Sequence, residues 1–161
     1  MRLKRFFFLL AVIIAPAAFA QSDSFSIHLP SGFGEFTKSS HNSQSKDGTI
    51  ETSTFLSKDP KGNAVVVTVS KFPKRVLAPV KLLDSNRDGL VKSTGSTLDS
   101  EETVSTNPVT RQIMMHSKDA WVRARLISKG DMLYQVIFIG RSADAPTAGP
   151  VSQMFEGFQP K

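Results

Sequence analysis

The chain has 161 residues, no cysteine, and 20 Lys+Arg against 14 Asp+Glu, for a formal net charge of +6. The missing thiols exclude disulfides, thiolate metal sites, redox pairs and cysteine nucleophiles. Three of the basic residues, Arg2, Lys4 and Arg5, stand at the start; without them 17 basic residues face 14 acidic ones, too small an excess for the clustered basic footprint of a nucleic-acid binder.

Those three residues open a segment that continues with an apolar run from Phe6 to Ile14 and closes on Ala18-Phe19-Ala20, the layout of a secretory signal peptide. The run is shorter than the ~20 residues a membrane-crossing helix needs, and polar Gln21-Ser22-Asp23-Ser24 follows at once. Cleavage is expected after Ala20. With no Cys for lipid attachment and no twin-arginine pair, export proceeds unfolded by the general route, to a periplasmic or secreted destination. Residues 21–161 match the length of one domain, with no transmembrane segment left after cleavage.

In the mature region Phe25, Ile27 and Leu29 alternate with polar residues, the period-two pattern of a half-buried strand, before Pro30-Ser31-Gly32 turns the chain. Thr37 to Thr49 contains only polar side chains and glycine and is expected to form a mobile surface loop. A hairpin follows: Ile50 to Ser57, a turn at Asp59-Pro60-Lys61-Gly62-Asn63, and Ala64 to Phe72 with its β-branched run, Gly62 supplying the positive φ of the turn. Pro73 and Pro79 stop the sheet pattern. Val80, Leu83, Arg87, Leu90 and Val91 then recur at helical spacing, and Gly95 ends the helix. Three strands close the pattern, at Val109 to His116, Ala120 to Ser128 and Met132 to Ile139. The last is apolar on both faces, which predicts a central strand covered on both sides. Pro146 to Phe158 reads as a closing helix with Val151, Met154, Phe155 and Phe158 on its apolar side.

This order resembles the PsbP-like domains, whose fold is shared with the Ran-binding Mog protein of yeast and with many small exported bacterial proteins. The resemblance rests on the opening Phe25-Ser26-Ile27-His28-Leu29-Pro30-Ser31-Gly32-Phe33, the hairpin before a helix containing Asp84 to Val91, the closing strands, and the terminal Phe155-Glu156-Gly157-Phe158. It implies an α+β fold, an antiparallel sheet flanked by helices as an α/β/α sandwich, and a non-enzymatic binding or accessory role. It implies no catalytic residues and no photosystem partnership.

Asp84-Ser85-Asn86-Arg87-Asp88-Gly89-Leu90 copies the first half of a calcium loop, but Lys92 and Gly95 stand where the second half needs oxygen ligands, so an amphipathic helix is the favoured reading. His28, His41 and His116 lack metal-ligand spacing and read as surface or rim residues, with His41 in the polar loop. Ser43-Gln44-Ser45-Lys46 falls in that same loop. Glu101 and Glu102, as neighbours in a strand, should point to opposite faces. No metal and no cofactor are expected.

Trp121, Arg123 and Arg125 alternate on one strand face and allow two readings. An indole beside two guanidinium groups could hold an anionic or aromatic ligand. Alternatively Trp121 packs under a helix while the arginine stems cover apolar surface and their heads reach water, and this second reading is favoured. The whole points to an exported, non-enzymatic binding or accessory protein of the cell envelope. It would meet an unknown protein or an anionic envelope component through a sheet face or through Thr37 to Thr49 and Gly140 to Gly149. A small periplasmic hydrolase with an unrecognised site is the alternative.

Overall fold

The computed structural model describes residues 19–161, with side chains described from Ser22 onward. The charged start and apolar run of the predicted signal segment lie outside the described residues, and so does Ala18. The ten strands are β1 (Phe19–Gln21), β2 (Phe25–His28), β3 (Thr37–Ser45), β4 (Gly48–Lys58), β5 (Ala64–Lys71), β6 (Thr97–Thr106), β7 (Val109–His116), β8 (Trp121–Lys129), β9 (Met132–Gly140) and β10 (Gln159–Pro160). The helices are α1 (Pro79–Thr94) and α2 (Gly149–Glu156), the latter preceded by one 3-10 turn at Ala145–Thr147.

Seven strands form an antiparallel sheet in the order β3-β4-β5-β9-β8-β7-β6, and β1-β2-β10 form a small second one. The Phe25 strand therefore does not join the main sheet; it buries Phe25, Ile27 and Leu29 beneath it. The both-faced strand β9 sits fourth of seven, as its pattern predicts. On one face Tyr134, Val136 and Phe138 meet Val65, Val67, Val69 and the α2 residues Val151, Met154 and Phe155. On the other face Leu133 packs with Leu126 and Leu83 of α1, and Ile137 packs with Ile113, Met115, Val122 and Ala124.

The helices thus lie on opposite faces of the sheet, as parity along β8 and β9 requires. They cover only its middle: α1 contacts β7 and β8, while the side chains of β3 are all exposed and those of β6 nearly so. The layered arrangement foreseen from the sequence holds for the central strands and stops short of both edges.

The hairpin and α1 match expectation. Gly62 has φ 85° in the turn between β4 and β5, and Gly95 has φ 61° as the left-handed cap of α1, both conformations that a side chain disfavours. Pro79 occupies the first turn of α1, where its missing N–H is harmless.

Three expectations are corrected. Thr37 to Thr49 is not a mobile loop: most of it is β3, in register with β4 from Thr37↔Leu56 to Ser45↔Gly48. The strand has no apolar side chain, so only its backbone pairing and cross-strand contacts such as Ser40 Oγ to Ser53 Oγ (2.9 Å) order it. The closing helix is shorter than Pro146 to Phe158, because Pro146 lies in the 3-10 turn and Phe158 follows the helix, though Phe158 is still buried. A strand before Val109, β6, completes a hairpin with β7 across Asn107-Pro108, whose peptide bond is cis.

Tyr134 is fully buried and donates its hydroxyl to the Lys161 carbonyl (2.7 Å), tying the last residue to the core. Burial pushes its phenol above the usual tyrosine value of 10.0, with Asp131 adding to the effect. A group whose folded pKa is raised gives stability that is complete below the unfolded value and is lost as pH climbs through the folded one. Stability should therefore fall as pH rises past about 10. The Tyr134→Phe variant should lose about 1 kcal/mol at neutral pH and should show a shallower alkaline decline, read by urea unfolding across pH 8 to 11. An identical alkaline slope in the variant would exclude Tyr134 as the source.

Candidate functional site

Arg123 and Arg125 lie on the α2 face of β8, where the sequence parity puts them, and both are half-buried with their heads bonded to protein groups. Arg123 donates from Nη1 to Ser152 Oγ (3.0 Å) and to the Pro146 carbonyl (3.4 Å), and from Nη2 to Gln112 Oε1 (2.9 Å). Arg125 donates from Nη2 to the same Gln112 oxygen (2.9 Å) and from Nη1 to the Phe155 carbonyl. Both guanidinium groups lie over the Phe155 ring, with Cζ 4.7 Å and 5.6 Å from its centroid. Burial pulls both pKa values down from the usual arginine range, and Arg125 is lowered further by its cationic neighbour. The buried Nε–H groups of both have no acceptor among the described residues.

The arrangement fastens α2 to the sheet. The pair brings a carbonyl from the last turn of α2, a hydroxyl from its first half and a carbonyl from the 3-10 turn onto one strand. Trp121 is half-buried at the start of the same strand, paired across the sheet with His116 and Gly140. The structure therefore puts the three residues on one face, with both Nη nitrogens of each arginine turned toward protein acceptors.

On the opposite face Arg111 reaches Asp84 and Glu101, while Arg87 of α1 reaches Glu101 (2.6 Å) and Asp88 (2.9 Å). Hydrogen bonds to Asp88 and Glu101 raise the Arg87 pKa, so the guanidinium stays charged throughout. Asp84 to Gly89 lie within the continuous helix α1, so the partial calcium sequence forms no loop. Asn86 bonds Leu82 and Gln135 instead. Glu102 contacts Gln112 on the α2 side, so the two neighbouring glutamates do point to opposite faces. Among the described residues no group of three or more His, Cys, Asp or Glu could hold a metal ion.

His41 is exposed in β3, not in a loop, and His28 is exposed at the end of β2. His116 Nδ1 lies 2.7 Å from Asp99 Oδ1 of β6. Sequence reasoning missed this pair because β6 carries almost no apolar residue to betray its presence; the hairpin turn at Asn107-Pro108 was its one legible signal.

The surface that departs most from an ordinary solvated one is the connection between β5 and α1. Leu77 there is 92% exposed and Val80, in the first turn of α1, 49% exposed. Lys74, Arg75 and Lys81 flank them in the chain and are exposed, with no acidic residue between positions 71 and 81, whereas Lys71 points to the other face of the sheet, where it lines a cleft with Glu51 and Val69. The connection is nevertheless fixed: Phe72 N–H bonds the Asp131 carbonyl (2.8 Å), Val76 N–H bonds the Gly130 carbonyl (3.0 Å), and Lys74 Nζ pairs with Asp47 (3.1 Å). Beside it opens a cleft of about 780 Å³ whose apolar lining includes Ile50, Phe72 and Leu82 and whose rim includes Lys46. Among the described residues no helix is long and apolar enough to cross a membrane.

No family model matches the sequence, and no curated protein matches it. Among solved structures the chain is similar to the solution structure of cyanobacterial PsbP (CyanoP) from Synechocystis sp. PCC 6803. That likeness has a TM-score of 0.63 at 10% identity and covers 94% of this chain and 96% of that one. Helices on the two faces of an antiparallel sheet, matched over nearly the full length of both chains, establish that this protein has the PsbP-like fold.

Proposed function

We propose that the protein is an exported, non-catalytic binding or accessory module that attaches to an anionic component of the cell envelope through the β5–α1 connection. One observation carries the reading. Three exposed cations, Lys74, Arg75 and Lys81, flank along the chain, without an intervening acid, a leucine that the fold leaves almost wholly in water. The mature excess of positive charge is three, so this short segment alone matches it. The PsbP-like fold supports an accessory role, and the signal-like first twenty residues support export.

The hydrolase reading would begin from the His116–Asp99 pair. Its side chains are 44% and 42% exposed, a setting in which water screens the pair and no preorganised dry site surrounds it. The non-catalytic reading is the better supported one.

Retention on isolated envelope should fall by about tenfold or more as ionic strength rises from about 0.05 M to about 0.5 M, because the screening length shrinks over that range. The double variant Arg75→Gln, Lys81→Gln should be retained weakly even at low salt. Retention that ignores both salt and these substitutions would remove the anionic partner.

A further inference from the structure

The β5–α1 connection is a projection with an apolar apex flanked by basic residues. Leu77 is more exposed than Val80, Leu98 and Val104, the other large apolar residues that stand out into water. It gains nothing from the fold. Pro73, Pro79 and the two backbone bonds to the β8–β9 turn hold it out in a fixed position.

Resting on the anionic-partner reading above, we propose that this projection docks on an anionic lipid bilayer, with Leu77 entering the boundary between headgroups and acyl chains. Lys74, Arg75 and Lys81 then lie among the headgroups. The chemistry favours a bilayer over a folded acidic protein. A bilayer places an apolar phase directly beneath a layer of negative charge, and it deforms around a projecting side chain. A rigid protein partner would need a preformed pocket opposite Leu77, ringed by carboxylates at matching positions. A soluble polyanion satisfies the basic residues but has no use for the apex. Lys74 is already paired with Asp47, so Arg75 and Lys81 carry most of the attraction. Neither basic residues nor one leucine suffices alone; the two together supply the paired signals that peripheral attachment requires.

The test uses protein recovered after export and three probes: vesicles of phosphatidylcholine, vesicles of phosphatidylcholine with phosphatidylglycerol, and soluble polyphosphate. Co-sedimentation is expected only with the anionic vesicles. Arg75→Gln should lower that partition about fivefold and weaken polyphosphate binding as well. Leu77→Ser should lower vesicle partition about tenfold while leaving polyphosphate binding and the thermal midpoint unchanged, since the side chain has no packing to lose. Undiminished vesicle binding by Leu77→Ser would overturn the proposal. Polyphosphate binding without vesicle binding would also overturn it, leaving the anionic-partner reading intact. Failure to bind either probe would end both.

Discussion

Replacing Phe155 by alanine is expected to lower the free energy of unfolding by about 4 kcal/mol, a loss read from urea denaturation at neutral pH. Phe155 is fully buried, so the usual cost of deleting a core ring and leaving a cavity applies. A second contribution comes from above the ring. Arg123 and Arg125 both lie over its face, and each buried guanidinium already has an Nε–H without an acceptor among the described residues. Removing the ring takes away the group that makes their burial tolerable. Phe155→Leu separates the two contributions, since it keeps most of the volume and loses the π face. A loss of about 1–2 kcal/mol is expected for it. If the alanine variant lost less than about 1.5 kcal/mol, the ring could not be what supports the arginine pair.

Leu83→Ala is expected to cost about 3 kcal/mol. The reason lies in how little of α1 is inside. Of its 16 residues Leu83 is the one that is fully buried, packed with Leu126 and Leu133, while Leu82, Leu90 and Val91 are only partly covered. The other attachments are polar: ion pairs from Arg87 and Asp84 to Glu101 and Arg111, and the hydrogen bond that Asn86 accepts from Gln135. Ion pairs this close to solvent are weak supports. The variant should therefore show faster amide hydrogen exchange in α1 than in β8 and β9. Loss of less than about 1 kcal/mol, with exchange in α1 unchanged, would transfer the anchoring role to the ionic network.

The sequence made the interior of the fold legible and its margins opaque. The β-branched run of β5, the two apolar faces of β9 and the helical spacing from Leu83 to Val91 each record contact with a core, and each appears where its pattern put it, while Val80, part of the same spacing, faces water. β3 and β6 record no such contact. Nearly all of their side chains face water, so backbone bonds and polar contacts to a neighbouring strand define them, and neither leaves an apolar period in the sequence. The same limit applies to Arg123 and Arg125. Strand parity gave their face, but what covers that face comes from α2, thirty residues further along, and parity cannot anticipate it. The Leu77 projection is a mixed case. Its residues were in view as a break between sheet and helix, but only the packed structure shows that no other element comes down over them.

The two rims of the main sheet differ in chemistry, and that difference bears on self-association. An open strand rim invites pairing with the rim of another copy. One rim, β3, offers serine, threonine, asparagine and glutamine with no apolar side chain, so a second copy aligned there would exclude no oily surface from water. The other, β6, carries Asp99 and Glu102 on either side of Glu101, whose charge Arg87 and Arg111 offset, so two copies meeting there would bring the remaining like charges into line. A concentrated solution of this protein is thus guarded against ribbon growth at one margin by indifference and at the other by repulsion.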